Sequence, residues 1–166
     1  MKDINVTSLD KRIINIIDQL PRNGNFSQRE ISQITGISVH HSASPQGKFT
    51  AKDYANWEMN GSMKAPAICY HFVIPMSGGI QQTNLLTARS WHSGNANTST
   101  IGICLDGNFE TEQPTDEQIR DLNWLTNYMK QVLNRDLIIK GHRDWKGNAT
   151  ACPGKNLVSK QSIWKF

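Results

Sequence analysis

Four short apolar runs recur along the chain: Ile37-Ser38-Val39, Ile68 to Ile74, Thr100 to Leu105 and Leu137 to Ile139. Their length and their β-branched and aromatic content mark buried strands. Helix-patterned stretches lie between them. Thr50 reads as an N-cap with Asp53 three residues on, Tyr54, Trp57 and Met59 supply an apolar side, and Asn60-Gly61 closes that helix. After Pro114, Thr115 and Gln118 form a capping box, and Ile119, Leu122, Leu125, Met129 and Leu133 hold one face at steps of three or four. Strands alternating with helices around one core specify an α/β domain with a mixed sheet flanked by helices. At 166 residues there is room for one such domain. Gly78-Gly79 turns the second run back into a shorter strand at Ile80. Leu9, Ile13, Ile16, Ile17 and Leu20 repeat at helical period before Pro21, so residues 1–34 are expected to be a helical extension packed on the core. Residues 158–166 are expected to be a tail.

Composition removes several classes of function. Three cysteines cannot all pair internally, which argues against a disulfide scaffold. No apolar run approaches the roughly 20 residues that span a bilayer. MKDINVTSLDKR has no signal-peptide apolar region, so synthesis in the cytoplasm is expected. A net charge of +4 suits an anionic polymer. Without a helix-turn-helix or an aromatic RNA-binding signature, nucleic acid is not the expected partner. A monomer is expected.

His40, His142 and Cys152 fall at or just past predicted strand ends. There is no C-x-x-C pair of the kind that closes a structural zinc site. Three distant ligands on a rigid sheet suit the other kind of site, which keeps a position open for water. Spacing alone leaves packing roles open to these residues. The flanking residues add more. Val39-His40-His41-Ser42-Ala43, Tyr70-His71-Phe72-Val73-Ile74, Ser99-Thr100-Ile101-Gly102-Ile103-Cys104, Gly141-His142-Arg143-Asp144 and Thr150-Ala151-Cys152-Pro153-Gly154 follow in that order. This succession resembles the type 2 N-acetylmuramoyl-L-alanine amidases, which include T7-type lysozymes and peptidoglycan recognition proteins. The resemblance covers residues 35–157.

It implies a zinc amidase fold with a peptide groove over the metal, Zn²⁺ as cofactor, and peptidoglycan or muropeptides as the substrate. Carried over by position, His40, His142 and Cys152 look like the ligands and Tyr70 like the catalytic tyrosine. Some members have a lysine where this chain has Thr150, so Thr150 would act there as a neutral donor. Two imidazoles and a thiolate leave Zn²⁺ a net positive charge, which acidifies water and polarises the scissile carbonyl. The implied bond joins the lactyl group of N-acetylmuramic acid to L-alanine, and cell-wall lysis of the endolysin kind is the expected setting, ahead of an injected effector or a recycling enzyme.

Neighbouring residues have plainer readings. His41 points away from the site if His40 is the ligand. His71 is expected to be structural, and Cys69 and Cys104 to be small buried residues. His92, in the Trp91–Gly94 loop, is expected to touch substrate, with plain exposure as its alternative. Asp144 is a candidate support for a ligand imidazole. Lys155, Lys160 and Lys165 form a basic, solvated tail. Two rival functions remain: a peptidoglycan-binding module of the same fold, in which the cysteine is typically missing, and a thiol hydrolase with Cys152 as nucleophile and His142 as base.

Overall fold

A computed structural model describes residues 9–164. Lys165, Phe166 and residues 1–8 lie outside the described residues. The strands are β1 (Ile13–Asn15), β2 (Gly36–His41), β3 (Phe72–Ile74), β4 (Ile80–Gln82), β5 (Thr100–Leu105) and β6 (Ile138–Gly141). The helices are α1 (Ala51–Asn60), α2 (Asp116–Leu133), α3 (Lys155–Val158) and α4 (Gln161–Trp164). One mixed sheet has the order β1-β4-β3-β5-β2-β6, in which β3, β5, β2 and β6 run parallel and β4 is antiparallel to β3.

Strand alternation divides the core between two helices. On one face Val39, Ile103, Leu105, Phe72 and Ile74 pack with Ile119, Leu122, Leu125, Met129 and Leu133, the periodic stripe of α2. On the other, Val73 and Cys104 meet Ala51, Tyr54 and Ala55 of α1. His40 lies opposite Cys104 in the β2–β5 register and therefore shares the α1 face. His41 takes the other face, where its Nδ1 accepts the Phe109 N–H at 3.1 Å. Thr50 and Thr115 cap their helices as the sequence predicts, Thr115 in the expected capping box with Gln118 and Thr50 in a second one with Asp53.

Two expectations need correction. Residues Leu9 to Leu20 are not a helix, and the described part of the 1–34 segment is not a helical extension. Ile13–Asn15 is an edge strand pairing in parallel with β4, followed by a 3₁₀ turn at Ile17–Gln19. The β-branched Ile-Ile-Asn run thereby covers the open edge of β4. The strand expected over Ile68 to Ile74 is only Phe72–Ile74. Ahead of it, side chains replace ladder partners: the Asn84 amide donates to the carbonyls of Ile68 and Tyr70, and the Glu58 carboxylate accepts the Cys69 N–H. Tyr70 is thus held off the sheet. Among the described residues no helix is long and apolar enough to cross a membrane.

Candidate metal centre

Parallel strands β2 and β6 end side by side, and open α/β sheets place ligands at such carboxyl ends. β2 delivers His40 near its end, and β6 leads directly into His142 on a 3₁₀ turn, His142–Asp144. The third residue arrives on a loop. A Cβ at Gly141 would meet the Pro153 ring at 2.7 Å, so the bare glycine lets that loop close on the strand end and brings in Cys152. One ligand atom each from His40, His142 and Cys152 lies within 4.8 Å of the others.

The hydrogen bonds around the imidazoles decide which nitrogens are free. Thr100 C=O stands 3.3 Å from His92 Nε2, so that nitrogen carries the proton and Nδ1 accepts. His40 Nε2–H then donates to His92 Nδ1 at 3.1 Å, which leaves the His40 Nδ1 lone pair facing the Cys152 sulfur at 3.6 Å. Asn148 does the same for His142. Its amide NH₂ reaches the carbonyls of Ser93 and Trp145, so its oxygen receives His142 Nε2–H at 3.0 Å and His142 Nδ1 stays free. Two aimed lone pairs and a thiol fit Zn²⁺, since a nitrogen and a sulfur on one tetrahedral ion are about 3.5 Å apart. Burial, with neighbouring imidazoles second, holds His40 well below the ordinary histidine range. Burial also lowers His142, so both rings are neutral, as ligands must be.

A cleft of about 360 Å³ opens over these residues, and Tyr70, Thr150 and Trp91 share its lining. The Tyr70 ring centroid is 5.2 Å from that of His40. Burial raises the Tyr70 hydroxyl well above its ordinary range, which keeps it protonated. Thr150 is exposed; its hydroxyl oxygen accepts the Cys152 N–H at 3.1 Å, leaving its own hydrogen to donate into the cleft. Burial pushes the Cys152 thiol up to about 12.

The sequence-expected residues do not all converge. His92 is not exposed; at 5% accessibility it lies beneath His40, on the cleft floor. A Cβ at Gly102 would stand 2.7 Å from its ring, so β5 needs glycine there. Asp144 is exposed, and Asn148 takes the supporting role considered for it. His71 is buried and structural: its Nδ1 accepts the Gly102 N–H, so its Nε2–H serves Ala88 C=O. Cys69 and Cys104 are free and buried, although Cys69 precedes the strand. Asn148 and Glu58 were not singled out from the sequence. For Asn148 the available signal was an amide six residues past a candidate ligand histidine, and for Glu58 a carboxyl on the face of α1 nearest the Tyr70 segment.

A family model described as N-acetylmuramoyl-L-alanine amidase matches residues 30–155. A peptidoglycan-recognition protein of Drosophila simulans is 29% identical over 99 residues, 58% of this chain and 53% of that protein. The chain thus spans about half the length of the curated relatives it matches. Two solved structures share the fold. The endolysin amidase LysCS of Clostridium intestinale has a TM-score of 0.75 at 23% identity, covering 93% of this chain and 96% of that one. Bumblebee PGRP-SA has a TM-score of 0.80 at 20% identity, covering 92% and 94%.

Proposed function

The chain belongs to the N-acetylmuramoyl-L-alanine amidase family, and on that premise we propose that it is a zinc-dependent amidase cutting peptidoglycan between N-acetylmuramic acid and L-alanine. The observation that carries this reading is the convergence of the His40, His142 and Cys152 donor atoms within 4.8 Å, beneath an open cleft. Zn²⁺ held by those three would supply the positive charge that acidifies water and polarises the amide carbonyl.

The chain's own groups supply the rest. Tyr70, kept protonated by burial, donates to the oxygen of the tetrahedral centre. Thr150, whose oxygen is committed to the Cys152 N–H, turns its hydrogen to the same oxygen. His92 and Asn148 fix the ligand rings instead of touching substrate. Cys152 serves as a ligand and not as a nucleophile. Attack by a thiol is helped by a depressed pKa, whereas burial raises this one against the smaller opposing effects of a backbone hydrogen bond and Arg143, and a metal cation on the sulfur would favour the thiolate. That sulfur also favours turnover over a module that only binds. The reading extends to wall lysis of the endolysin kind, with peptidoglycan or muropeptides as the bound partner.

Purified cell wall incubated with the protein should release peptides bearing a free L-alanine amino terminus. A chelator should stop the release and added Zn²⁺ restore it. Cys152→Ala should lose both zinc and activity while remaining folded. Activity that ignores the chelator but dies on thiol alkylation would replace this reading with the thiol hydrolase.

A further inference from the structure

The wall of the cleft formed by α1 carries a carboxyl group. Glu58 is half-buried and lines both the cleft above the three ligands and the adjoining recess beside Tyr54 and Trp57. It is the one carboxyl among the residues lining the cleft. Its Oε2 is fixed by the Cys69 N–H at 2.7 Å, one residue before Tyr70. Among the described residues Oε1 has no hydrogen-bond partner, and no cation pairs with the group.

Amide hydrolysis has a requirement that the ligand set does not meet. The nitrogen leaves as an amine only if it receives a proton as the C–N bond breaks. The N–H groups of the two ligand imidazoles are committed to His92 and Asn148. The Tyr70 and Thr150 hydroxyls are weak acids. We propose that Glu58 is the catalytic proton donor to the leaving nitrogen, an assignment that rests on the amidase reading. In the step, the oxygen of water bonds to the lactyl carbonyl carbon, the proton on Glu58 Oε1 passes to the amide nitrogen, and the C–N bond breaks. Water keeps one hydrogen as the hydroxyl of the new acid and gives its other proton back to the Glu58 carboxylate, so the products are a lactyl carboxylic acid and a peptide amine. Burial raises Glu58 to about 7, where a carboxyl both holds and yields a proton at neutral pH.

The test compares Glu58→Gln with the unaltered, zinc-loaded protein on a muramyl tripeptide. Glutamine keeps an acceptor for the Cys69 N–H but carries no acidic proton. The expected result is a fall in kcat of about 10²–10³, with KM within about threefold. Zinc content should not change, and the thermal midpoint should not fall, since glutamine carries no charge to bury. The p-nitrophenyl ester of N-acetylmuramic acid has a leaving group that needs no proton, and on it the loss should shrink below about tenfold. Glu58→Asp, one methylene shorter, should recover part of the amide rate. Amide turnover by Glu58→Gln within threefold of the unaltered protein overturns the assignment, as does an equal loss on amide and ester. A raised KM at constant kcat also overturns it, in favour of binding a substrate amine. If the unaltered protein cleaves no muramyl amide, the amidase reading fails and takes the donor with it; if it cleaves while Glu58→Gln is unimpaired, Glu58 alone falls.

Discussion

A ligand histidine grips a metal only as well as its other nitrogen is held. His40 is held by His92, whose own tautomer is set by the Thr100 carbonyl, and Ser93 Oγ closes the group at 3.1 Å from His92 Nδ1. Removing such a support costs metal affinity, typically 10–100-fold. His92→Ala should therefore weaken Zn²⁺ binding by about 10–100-fold, measured by competition with a chromogenic chelator. Gly102→Ala should act in the same direction with His92 still present, because its Cβ would stand 2.7 Å from the ring and push it off His40. Unchanged affinity in both variants would show that His40 needs no such partner. A loss in His92→Ala alone would mean the ring tolerates displacement.

At the scale of elements, a buried guanidinium ties the segment ahead of β2 to the start of β5 and the loop before it. Arg29 is 4% exposed and donates to the carbonyls of Leu86, Asn97, Thr98 and Thr100, with no carboxylate paired to it among the described residues. Burial lowers it to about 10, which still leaves it charged at neutral pH. Arg29→Ala would take a donor from four carbonyls, of which Thr100 keeps His92 Nε2–H, and should cost about 3–5 kcal/mol of unfolding free energy, read from urea denaturation. A loss below about 1 kcal/mol would mean that water replaces the guanidinium. This tie also marks what the sequence leaves unreadable. α1, α2 and β5 are legible because caps and apolar period agree with the packing they enter. β1 is not. A three-residue strand has no visible period, and its partner Ile80 is far along the chain, while Leu9, Ile13, Ile16, Ile17 and Leu20 fit a helix equally well. Ile68 to Tyr70 have strand composition, yet Asn84 and Glu58 bind their backbone from elsewhere. The candidate site divides in the same way. Ordered motifs exposed His40, Tyr70, His142 and Cys152, but Glu58 reads from α1 as an ordinary solvated charge, and Asn148 carries no charge to attract notice.

Across the whole molecule, burial couples the fold to pH. All five histidines lie below the ordinary value of 6.5, with desolvation the leading cause in each. His41 falls to about 4 and His92 to about 3. Between 6.5 and those values the unfolded chain binds protons that the native chain refuses. Stability therefore rises with pH: the contribution is complete above 6.5 and is lost as pH falls. Each such group removes up to about 1.4 kcal/mol per pH unit. Glu58 works the other way, because its native value of about 7 exceeds the ordinary 4.5, so between those limits the folded chain holds an extra proton. One carboxyl offsets one histidine, and the histidines prevail. Urea midpoints of the chelator-treated protein should fall steeply between about pH 6.5 and about pH 4.5, with no plateau in that window. Zn²⁺ should make the fall steeper, since the ion binds only the native, deprotonated ligands and its stabilisation disappears with them. A flat profile without the metal would mean that the buried imidazoles take up protons in place, and the neutral rings on which the ligand assignment depends would have to be abandoned.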